Sequence, residues 1–92
     1  MSLDNVGKYK SCFVESLEIE IDLVDDKLEY NSIPEWDSIG HMTLMSALEE
    51  KFNISIETDD IIDFSSFKKG QEILTNKYSV DFWYIYFHSQ II

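Results

Sequence analysis

Trp36-Asp37-Ser38-Ile39-Gly40-His41-Met42-Thr43-Leu44-Met45-Ser46-Ala47-Leu48-Glu49-Glu50-Lys51-Phe52 is the stretch from which the rest of the chain can be read. It opens sharply. Asp37 or Ser38 offers a side-chain oxygen to the unpaired N–H groups of a first helical turn. Leu44, Met45, Leu48 and Phe52 then recur at helical spacing, with Glu49, Glu50 and Lys51 on the polar side. The spacing predicts a helix that carries an apolar stripe inward and holds Ser38 at its N-terminal end, where a hydroxyl is approachable by an outside enzyme. A phosphate attached there would meet free backbone N–H groups and the positive end of the helix dipole. On the Asp-Ser pair alone the reading is a plain helix cap, and only the surroundings add to it.

Upstream, Leu3, Val6, Tyr9, Phe13 and Leu17 repeat at helical spacing and predict a first amphipathic helix over 4–17. Between residues 17 and 23 the pattern changes to alternation. Leu17, Ile19, Ile21 and Leu23 stand against Glu18, Glu20 and Asp22, which alone reads as a strand. No partner strand is evident, so the expectation is a helix end running into extended loop. Residues 25–36 form a long connection in which Leu28, Tyr30, Ile33 and Trp36 recur every two or three positions. That suits a loop pinned to the core, and Pro34 biases Ile33 toward extended geometry.

Downstream, Asn53-Ile54-Ser55-Ile56 turns a corner with both isoleucines on one side. Thr58 followed by Asp59 and Asp60 predicts a cap with acid in the first turn, opening a short third helix through Ile61 and Ile62. Ser65 or Ser66 caps a last helix whose stripe is Phe67, Gln71, Leu74 and Tyr78. Gly70 inside it costs about 1 kcal/mol relative to Ala and points to close approach of a neighbour. The expectation is an all-α fold: a small four-helix bundle with three longer helices, a short third one and a long loop between the first two.

Ninety-two residues make one domain, with 45% hydrophobic content enough for a core. Eighteen Asp and Glu face seven Lys with no Arg, for a formal charge of −11. Such a surface repels phosphate backbones and anionic lipid heads, which argues against nucleic-acid binding and a polybasic membrane dock. It attracts basic patches on other proteins, or serves solubility alone. Cys12 is the only cysteine, so no internal disulfide forms; a small buried side chain is its expected role. Residues 1–10 lack an apolar signal segment and no run reaches a membrane span, which makes a cytoplasmic protein without membrane insertion the expectation.

The segment from Asp37 to Ile56, with the Asp59-Asp60-Ile61 turn and the Ser65-Ser66-Phe67 helix start, resembles the acyl carrier protein family. The resemblance runs over about residues 3 to 78. It implies that Ser38, after Asp37, is the attachment serine for a covalent 4′-phosphopantetheine arm. It also implies a non-catalytic carrier that holds an acyl or aminoacyl cargo as a thioester. The implied partners are a phosphopantetheinyl transferase, an acyl- or aminoacyl-loading ligase and an acyltransferase. Partner enzymes of the family read the second helix, which points here to Ile39, Met42, Thr43 and Ser46, with acidic help from Glu49, Asp59 and Asp60. Two departures from the family pattern stand out. Carriers of fatty-acid synthesis usually place an acid two residues after the serine, where this chain has Gly40. Peptide-synthetase carriers usually have two glycines shortly before it, near Glu35 and Trp36 here. The chain therefore looks like a stand-alone carrier of a specialised pathway, such as surface-polysaccharide synthesis, while D-alanyl carriers share its Asp-Ser-apolar-Gly run.

The same residues raise other chemistries. Asp37, Ser38 and His41 supply the residue types of a hydrolytic triad but crowd into one helical turn, with no glycine-rich loop to make an oxyanion hole. His41 either sits beside an attached phosphate or is a partly exposed histidine without a role. Two histidines far apart do not make a metal site. An unmodified helical adaptor of the same fold is the alternative function. Residues 80–92 differ from the carrier domain of residues 1–79: Phe82, Trp83, Tyr84, Ile85, Tyr86 and Phe87 run consecutively, with Asp81 the only charge. Such a run needs cover, either by packing on the bundle or at a weak dimer contact of an otherwise monomeric chain.

Overall fold

The computed structural model describes residues 5–82. They form four helices: α1 (Asn5–Leu17), α2 (Ser38–Phe52), α3 (Thr58–Asp63) and α4 (Phe67–Tyr78), with a one-turn 3-10 helix at Ile21–Leu23 in the long α1–α2 connection. No strand forms among the described residues; one antiparallel bridge joins Glu29 to Ser66. The architecture is the small all-α bundle expected from the apolar spacing.

Helix α1 buries Tyr9, Cys12, Phe13 and Leu17 on one face. It ends where Glu18 takes the left-handed conformation, φ 55°, and Ile19 N–H reaches back to the Val14 carbonyl at 3.3 Å. The alternating stretch that follows is not extended throughout, which corrects that expectation. Ile19 and Val24 are buried, but Ile21 and Leu23 are 53% and 46% exposed. Without a partner strand the backbone satisfies itself locally. Leu23 N–H bonds the Glu20 carbonyl and Val24 N–H the Ile21 carbonyl, both at 3.0 Å.

The connection over residues 25–36 is pinned at two places. Leu28 and Trp36 are buried. The loop backbone also pairs with the start of α4, through Phe67 N–H to the Leu28 carbonyl and Tyr30 N–H to the Ser65 carbonyl, each at 2.9 Å. Helix α2 sends Leu44, Met45 and Leu48 inward, while Phe52 is half-buried. Asn53 ends it in the left-handed region, φ 54°.

Two details of the last helices differ from the sequence reading. Thr58 is the first residue of α3 and Glu57 precedes it as the cap position, without a side-chain cap bond. The buried face of α4 is Phe67, Gly70, Ile73 and Leu74; Gln71 and Tyr78, placed on that stripe, are half-buried. Ser66 caps α4 by accepting from Lys69 N–H at 2.9 Å. Gly70 does permit a close approach, since a Cβ there would fall on the Phe64 ring and the Tyr9 hydroxyl. That hydroxyl donates to the Phe67 carbonyl at 2.6 Å, so it is satisfied in the middle of the core.

The core does not stop at residue 79. Val80 and Phe82 are buried, and the Phe82 ring lies 5.4 Å from Tyr9 and 6.4 Å from Phe52 between centroids. The first residues of the 80–92 segment thus pack on the bundle. The remainder of the tail, residues 83–92, and the packing or dimer role expected for it, lie outside the described residues. No helix among the described residues is long and apolar enough to cross a membrane.

Candidate functional site

Three groups make the start of α2. Asp37 is extended, with its carboxylate Oδ1 accepting from Gly40 N–H at 2.8 Å, and its carbonyl takes His41 N–H at 2.8 Å. Asp37 is thus the cap, and Ser38 is the first helical residue. With Gly40 N–H engaged, the N–H groups of Ser38 and Ile39 have no intrahelical acceptor. Ser38 is exposed, between exposed Asp37 and an Ile39 that is 77% exposed. A serine Oγ at this point reaches solvent beside two backbone donors and the positive end of a fifteen-residue helix.

This exposed junction rests on a rigid support. Trp36, the residue before the cap, is 0% exposed. Its indole Nε1 donates to His41 Nδ1 at 2.9 Å, and His41 Nε2 lies 2.8 Å from the Ile61 carbonyl of α3. Because Nδ1 accepts, the ring carries its proton on Nε2 and donates it to Ile61. The Trp36 and His41 rings stack with centroids 6.1 Å apart. His41 therefore ties the loop, α2 and α3 together. Neither sequence reading of this histidine anticipated that role, and both ring nitrogens are already engaged. With Asp37 spent on Gly40 and His41 on Trp36 and Ile61, the three residues are not assembled as a triad.

Gly40 is the second residue whose role escaped the sequence. A Cβ there would fall on the Glu35 carbonyl oxygen and come 2.9 Å from Leu17 Cδ2. An acidic side chain at this position would have no room, because the loop and the end of α1 press on the helix at this point. Beside it runs an open groove of about 530 Å³, lined by Leu17, Glu18, Glu35, Asp37, Ile39 and Thr43 among others. Carboxylates reach this groove from the loop and from the end of α1 rather than from α2.

The residues expected to meet partners separate into two sets. Ile39, Met42, Thr43, Ser46 and Asp59 are exposed, and Met42 is 53% so; Ile62 on α3, at 73%, adds to the apolar surface. Asp60 and Glu49 do not belong with them. Asp60 is 3% exposed, which corrects its place on a docking face. Its carboxylate accepts from Lys77 Nζ at 2.7 Å and from the Tyr78 hydroxyl at 2.5 Å. Those bonds, Lys77 first, hold its pKa below the usual carboxylate value. Glu49 is half-buried, and its Oε2 accepts from Ile56 N–H at 2.8 Å, closing the corner after α2. Both acids hold the fold, and neither is free to receive a cation.

Cys12 is 1% exposed. Burial pushes its thiol pKa up to about 11, against a smaller lowering by Lys51. Among the described residues no group of three or more His, Cys, Asp or Glu side chains is placed to hold a metal ion. Comparison with family models, with curated proteins and with solved structures finds no match to this chain.

Proposed function

We propose that the chain is an acyl carrier protein: Ser38 Oγ takes a 4′-phosphopantetheine arm as a phosphodiester, and the arm's thiol carries an acyl or aminoacyl group as a thioester. The single observation that carries this reading is an exposed Ser38 at the first position of α2, with Asp37 capping the helix one residue before it. A phosphodiester keeps one negative charge, and the N–H groups of Ser38 and Ile39 offer it donors at the helix start. The Trp36–His41–Ile61 brace, anchored on buried Trp36, holds this start in place while the hydroxyl stays outside. The chain supplies the hydroxyl, the fixed helix end and a docking face of Ile39, Met42, Thr43 and Ser46. The transferase, the loading ligase and the acyltransferase supply the chemistry.

Cys12 makes the test direct, because its raised pKa and burial silence it in the folded chain. After incubation with a phosphopantetheinyl transferase and its arm donor, native protein should show one reactive thiol by a colorimetric thiol reagent. Untreated protein and Ser38→Ala should show none until denatured. A treated wild type with no new thiol would remove the carrier reading and leave an unmodified helical adaptor.

A further inference from the structure

We infer that the one-turn 3-10 helix after α1 is a second docking surface, built for a basic protein face with an apolar recess. The position of Ile21 and Leu23 carries this. In a bundle that buries Leu17, Ile19, Val24 and Leu28, these two aliphatics are 53% and 46% exposed, on a turn closed by its own backbone bonds. They are set among acids. Between Lys10 and Lys27 the chain has no cation, and Glu18, Glu20, Asp22, Asp25 and Asp26 surround the pair in sequence. The ion pairs among the described residues are Lys69–Glu72 and Lys77–Asp60, so no cation of the described residues pairs with any of these five acids.

Charge decides the occupant. A second copy of the chain would bring the same acids and a net charge of −11, and an anionic bilayer would be repelled in the same way. A protein surface that combines Lys or Arg with an apolar recess satisfies both features: the acids steer it and the two aliphatics fill the recess. Glu18, one of these acids, also lines the groove that runs to Ile39 and Thr43. This inference stands whether or not Ser38 is modified.

The test uses the full chain, isotope-labelled, in an Ile39→Ser, Ile62→Ser background that removes the other most exposed aliphatics. The probe is a synthetic amphipathic helix of Leu and Lys, followed by amide chemical shifts. The expected shifts cluster on residues 18–26. Adding Ile21→Ser and Leu23→Ser, which leaves every acid in place, should weaken binding at least tenfold, or about 1.4 kcal/mol. Circular dichroism checks that helix content is kept, with Thr substituted for Ser at both positions if it is not. Equal affinity with and without the two aliphatics would overturn the inference, as would shifts spread evenly over the acidic surface. Uptake by phosphatidylcholine vesicles that depends on Ile21 and Leu23 would overturn it too, by making the face a lipid contact.

Discussion

Asp37 and Asp60 stand at the starts of successive helices with the same charge, and the structure treats them in opposite ways. Asp37 is exposed, caps α2 through Gly40 N–H and leaves the next residue's hydroxyl open to solvent. Asp60 lies in the first turn of α3 but is turned inward, where Lys77 and Tyr78 close on it. One helix start is an open platform and the other a sealed joint. The difference shows that acid near a helix N-terminus does not by itself mark a docking surface. What matters is whether the carboxylate stays in solvent, as Asp37 does, or is closed over by a cation and a hydroxyl from another helix, as Asp60 is.

The platform is open only because it is held from beneath, and the largest effect should come from removing that support. Trp36→Ala empties a fully buried site between Phe13 and His41 and should cost about 3–5 kcal/mol in urea unfolding. Ile39→Ala, three residues on and outside, should stay within about 0.5 kcal/mol. Equal costs would erase the distinction between platform and support.

His41→Leu keeps the bulk but leaves the Trp36 indole N–H and the Ile61 carbonyl without partners. Each orphaned group should cost about 1–3 kcal/mol by the same measurement. His41→Gln, able to restore one of the two bonds, should recover part of the loss.

Gly40→Ala is a contest of signs. In an exposed helix interior, Gly to Ala gains about 1 kcal/mol. Here the added methyl meets the Glu35 carbonyl and the Leu17 side chain, and overpacking should cost about 1–3 kcal/mol instead. A stabilised variant would show that the loop is not pressed on α2.

At the cap itself, Asp37→Ala should lose about 1 kcal/mol while Asp37→Asn loses little, because Asn caps as well without the charge. The last effect vanishes in acid. Asp60 has its folded pKa lowered, so its stabilisation is complete above about pH 4 and is lost as pH falls through the lower folded value. The difference in melting temperature between wild type and Asp60→Asn should therefore narrow as the pH drops from 7 toward 2. A constant difference would mean the carboxylate is not held as an anion.

Much of this was legible in the residues. The stripes of α1 and α2, a cap at Asp37 or Ser38 and another at Ser65 or Ser66, and the pinned loop follow from local spacing and capping chemistry; the structure chooses Asp37 and Ser66. So does the exposure of Ser38, because a residue at a helix start after a loop has few neighbours. The misses share a physical cause, which is that they depend on contacts distant in sequence. At 17–23 the absence of a partner strand was legible, but the one-turn 3-10 helix that stands where extended loop was expected was not, because which of the alternating side chains reach the core depends on where the other helices lie. Asp60 is a surface acid by sequence until Lys77 and Tyr78, a helix away, close over it. His41 owes its role to Trp36 on one side and Ile61 on the other. Only Gly40 gave a local signal, a glycine inside a helix that must be there for a reason.

The most direct test of the account is the intact mass of the purified chain after exposure to an active phosphopantetheinyl transferase and arm donor. The account predicts a gain of one arm on the wild type and none on Ser38→Ala. A wild-type mass that does not change, with the transferase shown active on a known acyl carrier, would contradict it.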